Sequence, residues 1–287
     1  MPRTGQRSGL AQSIQRGNED GQLHMTRTSL VTGATGDLGF AIAQRLRQDG
    51  HRLVLHARDT AKARASVERL SPQPGGDIVV VVADIDTAAG RAQLTEGVAK
   101  AGVQVDVLVN CAGGGGAHDS WWDTSDEKWE ACFRLNVMGT VGLCKTFVPA
   151  MKVRGWGRVI NIASVAGSKP LAIGPEYAAA KAAVRSLTVS LALECADSGV
   201  TVNSVSPGLC MTNKVEGFLE PHVKASPQPH QSLNQFAVRN IFPTLVGQLA
   251  RPEDIGAVVS LLASEHGARI TAQDLVVDGG YLSVTPR

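Results

Sequence analysis

The chain has 287 residues, of which 43% are hydrophobic and 19% are charged, and its formal net charge is +2 at pH 7. This length and composition are typical of one large globular domain with a substantial core. The small, dispersed charge does not favour binding to nucleic acid or to an anionic membrane. No apolar run approaches the roughly 20 residues that span a bilayer. We therefore expect a cytoplasmic protein that binds neither nucleic acid nor a membrane.

The first 24 residues are polar, rich in glycine and without hydrophobic periodicity. Such a segment cannot bury enough apolar surface to order itself, so we predict that residues 1–24 are a disordered extension. Met25 lies just before the first strand-like run and is a candidate native start. The folded domain is then expected to cover residues 28–287.

From Thr28 onward, short β-branched runs alternate with helical stretches, which predicts a parallel sheet covered on both faces. The fold class is therefore α/β, with a single doubly wound Rossmann domain and a seven-stranded parallel sheet. The predicted strands are 29–32, 52–57, 77–82, 105–110, 157–163, 200–205 and 273–278. Helices are predicted at 39–48, 61–70, 127–151, 176–198 and 252–264.

A glycine-rich turn, Thr-Gly-Ala-Thr-Gly-Asp-Leu-Gly, follows the first predicted strand and opens the first helix. Glycine permits a tight turn and close backbone approach, and a helix N-terminus offers free N–H groups to a pyrophosphate. The turn is therefore interpreted as a dinucleotide site. Its predicted cofactor-binding residues are Gly33, Thr35, Gly36, Asp37, Leu38 and Gly39.

The end of the second strand indicates which dinucleotide binds. An acidic residue there would bind the ribose 2′-hydroxyl of NAD, whereas a basic one favours the 2′-phosphate of NADP. Ala57 occupies the expected acidic position and Arg58 follows it. We therefore predict that NADP(H) is favoured over NAD(H), although a pairing of Arg58 with Asp59 would weaken that preference.

Tyr177 and Lys181 have the i, i+4 spacing that places two side chains on one face of a helix. A phenol has a pKa near 10, and an adjacent ammonium group favours the phenolate. The pair is a candidate proton donor or acceptor. A surface pair with no catalytic role has the same spacing, so the motif needs support from other residues.

That support comes from Asn110-Cys111-Ala112-Gly113, from Asn136, and from Ser164, thirteen residues before Tyr177. With these motifs in this order, residues 28 to 282 resemble the classical short-chain dehydrogenase/reductase family, and are most similar to its 3-oxoacyl-carrier-protein reductases. The resemblance implies an oxidoreductase that transfers a hydride between NAD(P) and a carbonyl or secondary alcohol.

The resemblance also implies roles for four catalytic residues. Tyr177 would donate its proton to the substrate oxygen, and Ser164 would hydrogen-bond the same oxygen. Lys181 would bind the nicotinamide ribose and perturb Tyr177, while Asn136 would hold a water in the proton relay.

Further cofactor contacts are implied by position within the family's motifs. Asp84 and Ile85 match the segment beside the adenine, and Pro207, Gly208 and Thr212 match the stretch beside the nicotinamide. Asn110, Ala112 and Gly113 match the segment that lines the cofactor site.

Two positions depart from the family pattern. Asp37 replaces the second glycine of the usual turn, which gives the spacing of the extended branch of epimerases and dehydratases and places a carboxylate near the pyrophosphate. Cys111 stands where the family often has a second asparagine. We keep the reductase interpretation because every later motif is of the classical type. There are two alternatives: an extended-type epimerase or dehydratase, and a nonenzymatic nucleotide-binding regulator.

Substrate and assembly are less defined by sequence. The proline-rich stretch 213–250 is expected to be a substrate lid, and Trp121 and Trp122 either close over an apolar substrate or pack on the next helix. The five cysteines have no metal-ligand spacing, so no metal site is predicted. Family likeness implies a homotetramer or homodimer.

Overall fold

The computed structural model describes residues 26–71, 77–114, 119–226 and 232–283, so the prediction for residues 1–24 lies outside the described part. Within it, one parallel sheet of seven strands has the order β3-β2-β1-β4-β5-β6-β7. The fold prediction is confirmed, since each of the seven predicted segments forms a strand. The strands are β1 (Thr28–Val31), β2 (Arg52–Ala57), β3 (Ile78–Val82), β4 (Val107–Asn110), β5 (Gly157–Ile162), β6 (Val200–Pro207) and β7 (Asp274–Val277).

The helices cover both faces of this sheet, because successive strand residues point to opposite sides. Val31 belongs to one apolar cluster and Leu30 to another. The helices are α1 (Asp37–Gln48), α2 (Thr60–Leu70), α3 (Ala88–Lys100), α4 (Asp126–Phe133), α5 (Gly139–Arg154), α6 (Pro175–Glu194), α7 (Asn213–Lys224), α8 (Leu233–Asn240) and α9 (Pro252–Ala263). The first cluster includes side chains of α1 and α9, and the second includes side chains of α3, α5 and α6.

The strand order reverses at β1, whose neighbours are β2 and β4. Ligands of open α/β sheets bind at such a reversal, beyond the carboxyl ends of the strands. The glycine-rich turn follows β1, and the segment with Ala112 and Gly113 follows β4. Both predicted cofactor segments therefore lie at the same edge of the sheet.

The single helix predicted for 127–151 is wrong, because a π-helical turn at Arg134–Met138 separates α4 from α5. Side chains satisfy backbone carbonyls around this turn. Asn136 Nδ2 donates to the Cys132 carbonyl at 2.9 Å, and Thr140 Oγ1 donates to the Asn136 carbonyl at 2.8 Å. A single-turn π segment of this kind is often found at functional sites.

The insert segment, residues 213–250, is more regular than the loop that its prolines predict, since α7 and α8 lie within it. Thr212 caps α7 by accepting from Val215 N–H, and Ser232 begins α8 with a capping box. Leu219 of α7 and Ala237 of α8 are buried in a third apolar cluster with Val165, Phe242 and Tyr281. Among the described residues, no helix has the length and apolar character that crossing a membrane requires.

Candidate active site

The glycine-rich turn is packed so closely that two of its glycines cannot carry a side chain. A Cβ on Gly39 would lie 2.2 Å from the Gly33 carbonyl oxygen, and a Cβ on Gly33, whose φ is +66°, would lie 2.9 Å from the Ala112 Cα. Gly36 is less restricted, because its Cβ would find only the Gly33 oxygen at 3.6 Å. The turn is therefore a bare backbone surface at the N-terminus of α1, as dinucleotide binding requires.

Thr32 joins this turn to the segment that follows β4. Its buried hydroxyl oxygen accepts from Cys111 N–H at 3.0 Å and from Ala112 N–H at 2.9 Å, and donates to the Val109 carbonyl at 3.3 Å. One side chain thus holds two of the predicted cofactor-lining segments together.

His56 holds the turn from the other side. Its Nδ1 accepts from Gly33 N–H at 3.2 Å, and its Nε2 donates to the Ala83 carbonyl at 3.1 Å. Since Nδ1 accepts, the proton must be on Nε2 and the ring is neutral. Burial favours that state by lowering the pKa of His56 below its usual value.

Asn136, Gly113, Gly114 and Lys181 meet beneath the end of β4. Asn136 is buried, and its side chain donates to the Gly114 carbonyl at 2.7 Å and accepts from Gly114 N–H at 3.3 Å. A Cβ on Gly113 would lie 2.7 Å from Asn136 Oδ1 and 3.1 Å from Lys181 Nζ. Asn136, Gly113 and Lys181 are far apart in the chain, and the structure brings them together as the sequence predicted for one site.

Ser164 and Tyr177, two of the predicted catalytic residues, are hydrogen-bonded to each other. Ser164 follows β5 and accepts from Ala166 N–H at 3.2 Å, and its side chain also hydrogen-bonds Tyr177 in the first turn of α6. Lys181 lies one turn further along α6, with Nζ 5.6 Å from the centre of the Tyr177 ring. Its Nζ donates to the Ile162 carbonyl at 2.8 Å.

The electrostatics of this pair differ from the sequence-based expectation. Burial raises the pKa of Tyr177, and the hydrogen bond to Ser164 opposes that rise. Burial also lowers the pKa of Lys181 to about 8. Desolvation of the phenol therefore dominates, and the influence that lowers the Tyr177 pKa is the Ser164 hydrogen bond and not Lys181 as expected.

A model of the short chain dehydrogenase family matches residues 27–221 of this chain. The chain belongs to the short chain dehydrogenase family. It is 33% identical over 258 residues to the Bos taurus protein named dehydrogenase/reductase SDR family member 4, with 90% of this chain and 88% of the bovine protein covered. This confirms the recognition made from the motifs, and this short chain dehydrogenase is an oxidoreductase of the NAD(P)-dependent class that acts on CH–OH or carbonyl groups.

Two solved structures illustrate the range of its relatives. L-sorbose reductase from Gluconobacter frateurii, in complex with NADPH and L-sorbose, has a TM-score of 0.84 and 28% identity, covering 91% of this chain and 98% of that one. A 3-oxoacyl-[acyl-carrier protein] reductase from Brucella melitensis with bound NAD has a TM-score of 0.77 and 26% identity, covering 90% and 91%. The relatives of this short chain dehydrogenase thus include proteins with either nicotinamide dinucleotide.

The residues predicted for the adenosine end lie apart from the catalytic cluster, at the ends of β2 and β3. Arg58 is exposed, and no ion pair to it is found in the described ranges. Asp59 does not pair with it; instead it caps α2 by accepting from Lys62 N–H at 2.8 Å. Asp84 is exposed beyond β3, and the neighbouring Ile85 is buried.

The residues predicted for the nicotinamide end follow β6. A Cβ on Gly208 would lie 2.9 Å from the Asp278 Cα, so Gly208 allows β6 to leave the sheet beside β7. The Thr212 hydroxyl, implied to contact the carboxamide, accepts from Val215 N–H at 3.3 Å. That bond leaves the hydroxyl proton free to donate elsewhere.

Of the two tryptophans, Trp121 packs edge-on against Trp129 of α4, with ring centres 5.6 Å apart. This is the packing alternative that the sequence left open. Trp122 is 90% exposed. Both border an apolar groove of about 580 Å³ beside the outer face of α6.

Sequence reasoning missed a buried chain of polar side chains beneath the site. Asn110 Nδ2 donates to Asn161 Oδ1 at 2.8 Å, and Asn161 Nδ2 donates to Thr188 Oγ1 at 2.9 Å. The chain joins β4, β5 and α6, and so positions the helix that carries Tyr177. The signal was present, because polar residues in a strand buried on both faces must find partners.

His56 and Thr32 were also missed as site residues, although both are buried polar residues that must find hydrogen-bond partners. Cys111, interpreted from the sequence as a buried cysteine, is half-buried, and desolvation raises the pKa of its thiol to about 11.

Proposed function

We propose that this protein transfers a hydride between NADP(H) and a carbonyl or secondary alcohol substrate, with Tyr177 as the general acid or base. The observation that carries the proposal is the grouping of Ser164, Tyr177 and Lys181 at the carboxyl end of β5. The phenol is hydrogen-bonded to Ser164 and lies beside a buried lysine. Asn136 and Gly113 come within reach of the same lysine.

The turn fits a dinucleotide on structural grounds. A Cβ at Gly33 or Gly39 would collide with backbone, so the surface offered by the turn is backbone N–H groups at a helix N-terminus. The backbone of Gly33, Thr35, Gly36, Asp37, Leu38 and Gly39 would hold the pyrophosphate. Asp84, Ile85, Asn110, Ala112, Gly113, Pro207, Gly208 and Thr212 would line the rest of the site. The bound nicotinamide supplies or accepts the hydride.

The protein's own part of the chemistry is the proton. Because burial raises the pKa of Tyr177, the phenol is protonated at neutral pH, which suits donation to a carbonyl oxygen. Ser164 holds the phenol and would share that oxygen. Lys181, with a pKa of about 8, exchanges protons in the working range and would return one to Tyr177, with Asn136 holding the connecting water.

A preference for NADP(H) is supported by Arg58. Its side chain is exposed, Ala57 supplies no carboxylate, and Asp59 is occupied with the α2 cap. A guanidinium that forms no ion pair with any described residue suits a 2′-phosphate at this place. The Arg58→Ala variant is expected to raise KM for NADPH roughly tenfold or more and to change KM for NADH little.

Absorbance at 340 nm during reaction with a panel of ketones and alcohols, with NADPH and NADH in parallel, tests the activity. Tyr177→Phe is expected to lower kcat about 10²-fold or more and to leave cofactor affinity nearly unchanged. Tyr281→Phe is the matched control, because Tyr281 stacks on Phe242 through its ring, with centres 3.6 Å apart. Equal activity of the two variants would overturn the role of Tyr177.

The spacing of the turn also favours an extended-type epimerase or dehydratase, which would recycle its nicotinamide. Product formation without net change at 340 nm would identify that alternative. The insert segment is proposed to cover the substrate, and a homo-oligomer is proposed from family likeness.

A further inference from the structure

Asp37, the residue that departs from the family's turn, has both carboxylate oxygens engaged by one distant residue. Asn213 donates from Nδ2 to Oδ1 at 2.8 Å and from its backbone N–H to Oδ2 at 3.2 Å. The two residues are 176 positions apart in the chain. Asp37 begins α1, and Asn213 begins α7.

The contact supplies α7 with an acceptor that its own residues lack. The first backbone N–H groups of a helix have no partner within the helix. Thr212 satisfies Val215 N–H, and Asp37 satisfies Asn213 N–H. A carboxylate at a helix N-terminus is also favoured by the helix dipole, so Asp37 stabilises the first turn of α7.

The same carboxylate lies at the N-terminus of α1, the end proposed to receive the pyrophosphate. A fixed negative charge there opposes a second anion. Asp37 therefore acts on two sites in opposite directions, since it holds the start of the insert segment and disfavours the dinucleotide.

Helix α7 packs in turn near Ser164, the proposed catalytic serine. Leu219 of α7 is buried in the cluster that contains Val165, the residue after Ser164, and Val215 of α7 packs against that cluster. Thr212, proposed to meet the nicotinamide end, directly precedes α7. A shift of the first turn of α7 would therefore move both Thr212 and the surroundings of Ser164.

We propose that Asp37 is a positioning residue that fixes α7 beside the substrate site through Asn213, at the expense of cofactor affinity. This rests on the proposed function, because it takes the turn as the pyrophosphate site and α7 as part of the substrate cover.

Three variants separate the two effects. Asp37→Gly removes both the charge and the contact and restores the family's glycine. Asp37→Asn removes the charge and keeps a carbonyl oxygen that accepts from Asn213. Asn213→Ala removes the side-chain donor and keeps the charge.

The contact is measured by hydrogen–deuterium exchange over residues 213–224 without nucleotide, and NADPH affinity by quenching of tryptophan fluorescence. Asp37→Gly is expected to speed exchange in α7, to tighten NADPH binding roughly threefold to tenfold, and to raise substrate KM with a smaller change in kcat. Asp37→Asn is expected to tighten NADPH binding with less effect on exchange. Asn213→Ala is expected to speed exchange without tightening NADPH binding.

Unchanged exchange in both Asp37→Gly and Asn213→Ala would overturn the proposed contact. Weaker NADPH binding in Asp37→Gly would overturn the electrostatic part and assign the carboxylate to cofactor binding. If the wild type bound neither NADPH nor NADH, the proposed function would fail on its own, because the exchange experiment contains no nucleotide.

Discussion

Thr32 provides the most direct test of how the cofactor-lining segments are held together. Its hydroxyl oxygen accepts from Cys111 N–H and Ala112 N–H, and the side chain is only 1% exposed. The Thr32→Val variant has nearly the same shape but offers no acceptor. Ala112 N–H would then lose its acceptor, whereas Cys111 N–H would keep the Val109 carbonyl at 3.1 Å.

The expected cost follows from the Ala112 donor. A buried N–H that loses its acceptor costs about 1–3 kcal/mol of unfolding free energy. The Val109 carbonyl adds little, because it still accepts from Thr32 N–H at 3.0 Å. For a chain of this size, we expect the melting temperature to fall by roughly 3–10 °C.

The assay compares thermal unfolding of Thr32→Val with that of Thr32→Ser, which keeps the oxygen and loses only a methyl group. Dinucleotide affinity is measured on both, and we expect it to fall in the valine variant because the segment with Ala112 and Gly113 loses its support. If the valine variant melted within about 2 °C of the serine variant and bound dinucleotide equally well, the hydroxyl would not be the acceptor that holds this segment.

Three further predictions concern the same site. Gly39→Ala forces a Cβ to within 2.2 Å of the Gly33 oxygen, so it should lower the melting temperature far more than Gly36→Ala, where the contact is 3.6 Å; equal losses would contradict the packing. Lys181→Met should abolish activity yet raise stability at pH 7 by up to about 3 kcal/mol, because the pKa of Lys181 is lowered from 10.5 to about 8 and the fold disfavours its charge. The extra stability of Lys181→Met should shrink as pH rises from 8 toward 10.5, because in that range the unfolded chain still binds the proton and the folded wild type does not. A variant less stable than wild type at pH 7 would refute this reasoning. Burial lowers the pKa of His56 below 6.5, so the stability advantage of wild type over His56→Gln should be full above pH 6.5 and should decline below it. Thermal unfolding of both proteins across pH 4.5–7 measures this difference. A difference that stays constant with pH would contradict the buried neutral ring.

The strands were predictable because each must be apolar on both faces. A run such as Leu53, Val54 and Leu55 alternates between the two apolar clusters, and this pattern is written in consecutive residues. The grouping of Ser164, Tyr177 and Lys181 was predictable from a family likeness that preserves their spacing. Helix ends and the π-helical turn were not, because they depend on which side chain accepts from a particular backbone N–H or donates to a particular backbone carbonyl.

The sequence by itself determined the sheet, the order of the motifs and the chemical types at the site. Only the tertiary structure decided that Asp37 contacts Asn213, that His56 is a neutral acceptor for Gly33, and that desolvation dominates the pKa of Tyr177. The physical reason is the range of the interaction. Periodicity reports which face of its own element a residue occupies, whereas a hydrogen-bond partner or a local dielectric is set by elements far away in the chain.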